Sequence, residues 1–453
     1  MIFGPKKIKR FSRWPSVELK CSHMLFSKKL SIRRRLFVII VALLLTFSVI
    51  VLVNQSNVIN YAYFFYKKIK INEPDLQLVT SWNVNLNSYL QSTKSIRQSV
   101  QSINEQQMIL NESLFGISTN FTVVIVVQVH RRLSYLRQLV ASLSHAKDIE
   151  KALLIFSHDY YDDEINQLVQ KITFCRVMQI FYPFSIQIYP NEFPGSDPRD
   201  CQRNLDKTTA INSKCLNALH PDLYGHYREA PFTQMKHHWW WKLNRIFDQL
   251  EVTQNHNGLL LLLEEDYYVA PDFLHVLEQL HERSSSLCSY CNIISLGTYS
   301  EAITRINYDQ IEISPWITSK HNMGMAFYRE TWNEIKSCAK YFCDYDDYNY
   351  DWSLQNINYK CLENKLNVMI IRGPRVFHIG ECGMHHTKTD CDQLTSKSQQ
   401  MIINASLSGH LFPRNLKLTR TLDHDDVSDT LKPNGGWADI RDIMLCLNMT
   451  MHE

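Results

Sequence analysis

Five consecutive leucines, Leu259 to Leu263, run straight into three acids, Glu264, Glu265 and Asp266. The run has neither a helical nor an alternating period, which predicts a strand buried on both faces, as in a parallel sheet. TVVIVVQVH (122–130) and ALLIFSHD (152–159) read the same way. Between them Leu133, Leu136, Leu139, Val140 and Leu143 recur at steps of three and four, predicting an amphipathic helix over Arg132 to His145. A helix around Glu164–Ile172 and a strand near Val177–Phe181 follow. Later come a strand in CNIISLG, the segment HNMGMAFYRE, a helix through Trp332 to Cys338, and two short strands in NVMIIRGPRVFHIG, the second ending at His378. Strands alternating with helices predict an α/β fold with a Rossmann-like, mostly parallel, doubly wound sheet flanked by helices.

The pattern differs before residue 120. Leu36 to Val53 is an uncharged apolar run of eighteen residues, close to the roughly 20 that span a bilayer. It is preceded by Lys6, Lys7, Lys9, Arg10, Arg13, Lys20, Lys28, Lys29, Arg33, Arg34 and Arg35 against the single acid Glu18. Such a flank keeps the N-terminus cytoplasmic and sends the rest into a lumen. A cleaved signal peptide is the alternative, but the run starts late and no small-residue cleavage site follows. Asn54 to Thr119 reads as a stem. Within it Val79, Trp82, Leu86, Tyr89, Thr93, Ile96, Val100, Ile103 and Leu110 form one apolar stripe of a helix. The stripe either pairs with a second copy, giving a homodimer, or packs on its own globular domain. The expected divisions are a basic tail (1–35), a transmembrane signal-anchor (36–53), a lumenal stem (54–119) and a globular domain (120–453).

Net charge is only +3 over 453 residues, so composition makes no case for nucleic acid. The chain has no GxGxxG after a strand, which argues against a dinucleotide enzyme. Its twelve cysteines fit an oxidising lumen: ten lie between Cys201 and Cys446, and Cys175 stands apart in an apolar segment. Cys288 and Cys291 are half a zinc site at most, since no second CxxC completes it. Sequons at Asn111, Asn120, Asn404 and Asn448 agree with a lumenal chain; another at Asn54 abuts the anchor.

Candidate chemistry concentrates where strands end. Three carboxylates crowded at the end of the leucine strand repel one another unless a cation sits among them. Hard oxygen ligands favour Mg²⁺ or Mn²⁺. His378, ending its own strand with Gly380 and Gly383 after it, is a second candidate ligand. Tyr189 to Cys215 is a long loop, stapled if Cys201 and Cys215 pair. The run Gln234-Met235-Lys236-His237-His238-Trp239-Trp240-Trp241-Lys242 cannot present all three tryptophans to one side of a helix, so two are expected in the core and one at a site. His237 and His238 are either satisfied structural residues or site residues. CDYDDYNYDW (343–352) joins acids to aromatics, as sugar-binding surfaces do, or is an acidic surface loop.

Taken together, VVQVHRR, LIFSHDYYDDEINQL, PFSIQIYPNEFPGSDPRDC, GHYREAPFTQMKHHWWWKL, LEEDYYVAPDF, SLGTYS, HNMGMA, CDYDDYNYDW, RVFHIGECGMHH and NGGWADIRD resemble, in order, the N-acetylglucosaminyltransferase II family. The resemblance runs from about Val124 to Cys446; the anchor and stem match only in type. It implies a Golgi type II membrane enzyme with a GT-A fold, Mn²⁺ as cofactor and UDP-N-acetylglucosamine (UDP-GlcNAc) as donor. The implied acceptor is the α1,6-arm mannose of a trimmed N-glycan already carrying N-acetylglucosamine on its other arm. By position, Asp266 and His378 would hold the metal. Gln128, Val129, His130, Arg131, Arg132, Asp159 and Gln234 to His238 would form the donor pocket beside Glu264 and Glu265, and Asp351 would be the catalytic base. The implied cysteine pairs are 201–215, 288–291, 338–361, 343–446 and 382–391, that is Cys338 with Cys361, Cys343 with Cys446 and Cys382 with Cys391, leaving Cys175 free. The segment after Ser300 departs from the family pattern, and Arg305 is the candidate substitute for a substrate-contacting arginine there. Two other functions fit less of the sequence: a related β1,2-N-acetylglucosaminyltransferase acting on the other arm, and an inactive lumenal glycan-binding protein.

Overall fold

The structure, a computed structural model, describes residues 92–117, 121–298, 303–380, 382–383, 386–387, 393–422 and 432–451. The tail, the anchor, the first part of the stem, Asn120 and Cys391 lie outside the described residues. Among the described residues no helix is long and apolar enough to cross a membrane.

The strands are β1 (Ile109–Leu110), β2 (Val123–Val129), β3 (Leu153–His158), β4 (Arg176–Phe181), β5 (Leu259–Glu264), β6 (Tyr267–Val269), β7 (Ile293–Ser295), β8 (Gln310–Pro315), β9 (Met325–Phe327), β10 (Asn367–Ile371) and β11 (Val376–His378). Lys417–Thr421 adds an edge strand. The main sheet has the order β1-β4-β3-β2-β5-β9-β7-β10-β8 followed by that edge strand. The block β4-β3-β2-β5 is parallel throughout, as its unbroken apolar runs predict. Beyond β5 the sheet is mixed. β9 pairs antiparallel with both β5 and β7, so a purely parallel sheet is not what forms. β6 and β11 form a separate antiparallel ribbon.

Helices cover both faces. The predicted amphipathic helix spans Leu133–Ser144 and buries Leu136, Leu139 and Leu143; the next spans Asp163–Gln170, with the Asp162 carboxylate accepting from the Glu164 and Ile165 amides as its cap. Helix α1 (Ala230–Asn244) lies on the opposite face and begins with Pro231 in its first turn. Helix Phe273–Leu287 begins after Asp272, whose carboxylate is occupied by Arg375 at 2.9 Å.

The tryptophan expectation is corrected. Trp239, Trp240 and Trp241 are all buried in one core, since α1 packs between the sheet and the C-terminal helix Ile440–Met451 and has no free side. The stem expectation also changes. Residues 92–106 are helical, and Ile96, Val100 and Ile103 pack on Phe181 and Ile188 of the same compact unit. Leu110, counted in the helical stripe, is in β1 and pairs with β4. Of the two ways to bury the stripe, its described part takes the intramolecular one.

Cysteines bond as 201–215, 288–291, 338–361 and 343–446. Cys175 is a buried free thiol, with its pKa pushed up to about 12 by burial. The 382–391 pair falls outside the described residues. A buried ionic knot ties distant segments: Arg228 donates to Asp442 at 2.7 Å and to Asp200 at 3.2 Å, and His237 meets Asp442 at 3.0 Å.

Two expectations follow. Burial opposes ionisation of Asp442, yet Arg228 and His237 hold its pKa at about 2. A depressed carboxylate stabilises the fold above its ordinary range and loses that contribution as pH falls toward about 2. Asp442→Asn strands the buried Arg228 charge and should cost about 3 kcal/mol in urea unfolding at pH 7, the low end for a broken buried pair because Asp200 remains. Separately, the Asn111 amide donates to the Ile172 and Cys175 carbonyls, both at 2.7 Å, so an N-linked glycan would displace one of these bonds. Glycopeptide mapping should find sugar at exposed Asn404 and Asn448 and none at Asn111.

Candidate active site

Parallel pairing in register brings three strand ends together. Gln128 of β2 lies opposite Ser157 of β3 and Glu264 of β5. The residues after each strand therefore emerge side by side, at the edge where ligands of open α/β sheets bind. His130 and Arg131, just past β2, are exposed, and Arg132 is half-buried. Val129 points into the core, and its carbonyl accepts from the Asp159 amide, so it contributes backbone alone.

Asp159 sits between two walls. The His130 ring nitrogen Nδ1 lies 2.6 Å from one carboxylate oxygen, and Gln234 Nε2 donates to the other at 3.1 Å. Burial alone would raise its pKa, but the His130 charge and the hydrogen bonds from His130 and Gln234 keep it below the ordinary value. Burial likewise disfavours the His130 cation, yet Asp159 and Glu265 hold its pKa above normal. Arg131 stacks over the Tyr160 ring at 4.2 Å. A basic, donor-rich face thus lines the β2 and β3 ends.

Glu265 plays an internal part. It is 5% exposed, and its carboxylate accepts from the His130 amide at 2.8 Å and the Arg132 amide at 3.3 Å. It fixes the turn after β2 rather than facing a ligand. Burial pushes its pKa up to about 7. Glu264 accepts from the Tyr350 hydroxyl at 3.0 Å. Burial and the neighbouring Asp266 charge raise its pKa.

Asp266 and His378 come from different strands and meet, because β11 pairs with β6 so that His378 lies opposite Tyr267. His378 Nε2 is 3.3 Å from Asp266 Oδ2, and Arg132 donates to the same oxygen. The other oxygen, Asp266 Oδ1, is buried without a partner. Gly380 faces the carboxylate so closely that a Cβ there would lie 2.2 Å from Oδ2. Adjacent ligands on an octahedral ion with bonds of about 2.1 Å are roughly 3 Å apart. A carboxylate and an imidazole at this spacing, with an orphaned oxygen beside them, fit a hard or borderline divalent cation. Among the described residues no third His, Cys, Asp or Glu joins them, so substrate oxygens and water would complete the shell. Burial works against ionised Asp266, but His378 and Arg132 keep its pKa low.

Asp351 lies in the first turn of helix Tyr350–Lys360. It accepts from the Trp352 amide at 2.9 Å and from Asn322 Nδ2 at 3.2 Å. Burial outweighs these bonds and raises its pKa. Its neighbour Tyr350 holds Glu264, which ties the helix to the end of β5.

The run Gln234 to His238 divides by helical face. Gln234 and His238, four residues apart, both turn to Asp159, His238 at 3.7 Å. Burial lowers the His238 pKa to about 3, so the ring is neutral and bonds Ser157 at 2.8 Å. Lys236 and His237 face away. Lys236 Nζ donates to the Tyr345 and Asp347 carbonyls at 3.0 Å and sits 4.2 Å from the Trp437 ring, pinning the 343–351 loop. His237 belongs to the Asp442 knot, and Met235 is half-buried. Of the acid and aromatic loop, Asp346 and Asp347 are tied inward by backbone amides of Leu223, Trp437, Asn349 and Asn434. Arg305 is exposed.

Three further residues enter. Lys242 is buried and donates to Gln128 at 2.5 Å; Tyr350 supports Glu264, with Trp239 stacked 4.6 Å behind it; Asn322 orients Asp351. Lys242 shares the helical face of Gln234 and His238, a spacing legible in the sequence. Asn322 carries no such signal.

The sequence profile described as N-acetylglucosaminyltransferase II (MGAT2) matches residues 97–446. The chain is 45% identical over 355 residues to mouse alpha-1,6-mannosyl-glycoprotein 2-beta-N-acetylglucosaminyltransferase, covering 78% of this chain and 80% of that one. The human protein of that name is 44% identical (78% and 79% covered), and the Arabidopsis thaliana one 33% (76% and 78%). Among solved structures, S. aureus TarS 1–349 in complex with UDP-GlcNAc aligns at TM-score 0.32 and 9% identity, covering 60% of this chain and 62% of that one. Mouse xyloside xylosyltransferase 1 aligns at 0.25 and 11%, covering 67% and 85%. Those two scores carry no argument; the sequence match over most of both chains does, and the chain belongs to the N-acetylglucosaminyltransferase II family.

Proposed function

We propose that this chain is an inverting glycosyltransferase that moves N-acetylglucosamine from UDP-GlcNAc, in β1,2 linkage, to the α1,6-arm mannose of an N-glycan. The observation that carries the reading is the family match across residues 97–446, which contains every residue of the site. The site geometry agrees with it. The nucleotide-sugar lies along the β2 and β3 ends, where His130, Arg131, Arg132, Asp159 and Gln234 offer donors and acceptors. Asp266 and His378 would hold Mn²⁺, in what we take to be a GT-A arrangement. A bound divalent cation offsets the charge gathering on the departing diphosphate.

The chemistry of this chain's own residues is a single displacement. Asp351 takes the proton from the mannose hydroxyl as that oxygen attacks the anomeric carbon. Attack opposite the leaving UDP turns an α-linked donor into a β-linked product, so no enzyme nucleophile is needed. Asn322 and the Trp352 amide aim the Asp351 carboxylate. Lys242 holds Gln128, and Glu265 holds the turn bearing His130 and Arg132, so the donor face is formed before substrate arrives.

A lumenal, Golgi-type setting with a single-pass type II anchor is part of the same proposal. Four disulfides fit an oxidising compartment, and the basic flank before Leu36–Val53 sets the orientation.

Offering residues 54–453 a panel of UDP-sugars and defined N-glycans with Mn²⁺ tests the proposal. Transfer from UDP-GlcNAc to the α1,6 arm, dependent on N-acetylglucosamine at the other arm, is expected. Transfer to the other arm, or glycan binding without UDP release, would replace it with one of the two alternatives. Asp266→Asn should abolish metal-dependent UDP binding and turnover while the unfolding midpoint holds, and His378→Ala should weaken metal dependence in the same direction. Unchanged metal dependence in Asp266→Asn would remove the metal assignment. Asp351→Asn should lower kcat by about 10²–10⁴ and leave UDP-GlcNAc binding intact. In the wild type, kcat/KM should rise with pH through an acid limb lying above the ordinary carboxylate value, because Asp351 must lose its proton to act and burial raises its pKa.

A further inference from the structure

The helix Tyr350–Lys360 carries Asp351 in its first turn, while its later turns are pinned elsewhere in the fold. Gln355 accepts from the Thr318 amide at 2.9 Å, Asn356 donates to the Tyr341 carbonyl at 3.0 Å, Asn358 accepts from the Leu366 amide at 2.7 Å, and Cys361 is bonded to Cys338. Such ties hold the first turn least, because the first amides of a helix have no partner inside it.

There Tyr350 makes a contact of another kind. Its ring lies flat on Trp239 of α1, with centroids 4.6 Å apart and planes 6° from parallel. Its hydroxyl donates to Glu264 at the end of β5 at 3.0 Å. Burial and the Glu264 charge raise the tyrosine pKa well above its ordinary value, so the hydroxyl keeps its proton and stays a donor. A ring stacked on one face and bonded at its tip cannot tilt without losing one of the two contacts. Adjacent helical positions point to different surfaces, so Tyr350 reaches β5 while Asp351 reaches Asn322. One hydrogen bond thus refers the first turn to the strand end that leads into Glu265 and Asp266.

That reference matters for the chemistry. A general base acts only within about 2.6–3.2 Å of the proton it takes. Asn322 and the Trp352 amide aim the Asp351 carboxylate, but neither lies on β5, so neither fixes how far it stands from a UDP-sugar at that strand end. We infer that Tyr350 is a positioning residue for the transfer step: its hydroxyl bond to Glu264 sets the distance between the Asp351 carboxylate and the bound UDP-sugar. The inference rests on the proposed function for the role of Asp351.

Tyr350→Phe keeps the ring and its stack and deletes the hydroxyl alone. It should lower kcat about 10–10²-fold, the cost of a shift of up to about 1 Å. The KM for UDP-GlcNAc, and the stoichiometry of its binding by calorimetry, should not move. In an Asp351→Asn background the same change should cost nothing more, since a residue that acts through the base has no effect once the base is gone. A second drop of equal size there would mean that Tyr350 acts independently of Asp351 and would overturn the inference. A raised UDP-GlcNAc KM with kcat unchanged would make Tyr350 a support for Glu264 alone, and would overturn it as well. If wild type transferred nothing, the proposed function would fall, and the tie itself would be read without turnover. Hydrogen exchange of the Trp352 and Ser353 amides should then be about tenfold faster in Tyr350→Phe, with the β5 amides unchanged. Equal exchange in the two proteins would end the inference.

Discussion

The parallel register of β2 with β3 and β5 is the constraint on which the rest depends. One residue of slip would turn every side chain of a strand to the other face. Because Gln128, Ser157 and Glu264 lie abreast, the residues that follow each strand arrive at one edge together. The core holds this register from both sides. Val124 and Val126 pack toward α1 and its tryptophans, while Ile125 and Val127 pack toward the helix Leu133–Ser144. The burial of an aliphatic side chain is worth about 1.5–3 kcal/mol, so slipping several at once is far costlier than anything the polar edge could return.

Given that edge, the site is a set of charges made affordable by one another. Asp159 is buried but faces His130; Asp266 is buried but faces His378 and Arg132; Glu265 is buried but caps two backbone amides. At Asp351, as at Glu265, the partners are neutral donors and burial prevails. Asp159 and Asp266, facing cationic groups, are held as anions instead. The long second-half connections matter for the same reason. The β6–β11 ribbon brings His378 to Asp266, and the segment around Asn322 reaches Asp351.

The knot at Arg228, Asp442 and His237 shows how little local sequence says about role. His237 and His238 are adjacent and equally buried, yet one braces the C-terminal helix and the other backs the donor face. The 100° between successive helical residues makes that division.

By itself the sequence determined the parallel strands, because unbroken apolar runs can be satisfied only by burial on both faces. It determined the ends of those strands as well, since Glu264, Asp159 and His130 mark where the apolar runs stop. Resemblance added Asp266, His378 and Asp351 as a set. Tertiary structure alone decided that Glu265 turns inward, that Val129 offers only backbone, that Lys236 and His237 leave the site, and that all three tryptophans are core. It also decided that β9 inserts antiparallel, and that Ile96, Val100 and Ile103 cover their own domain. Each of these depends on which surface a side chain meets across the fold. Pattern along the chain sets which faces must be buried, whereas the partner that buries them is fixed only when segments far apart in sequence pack together.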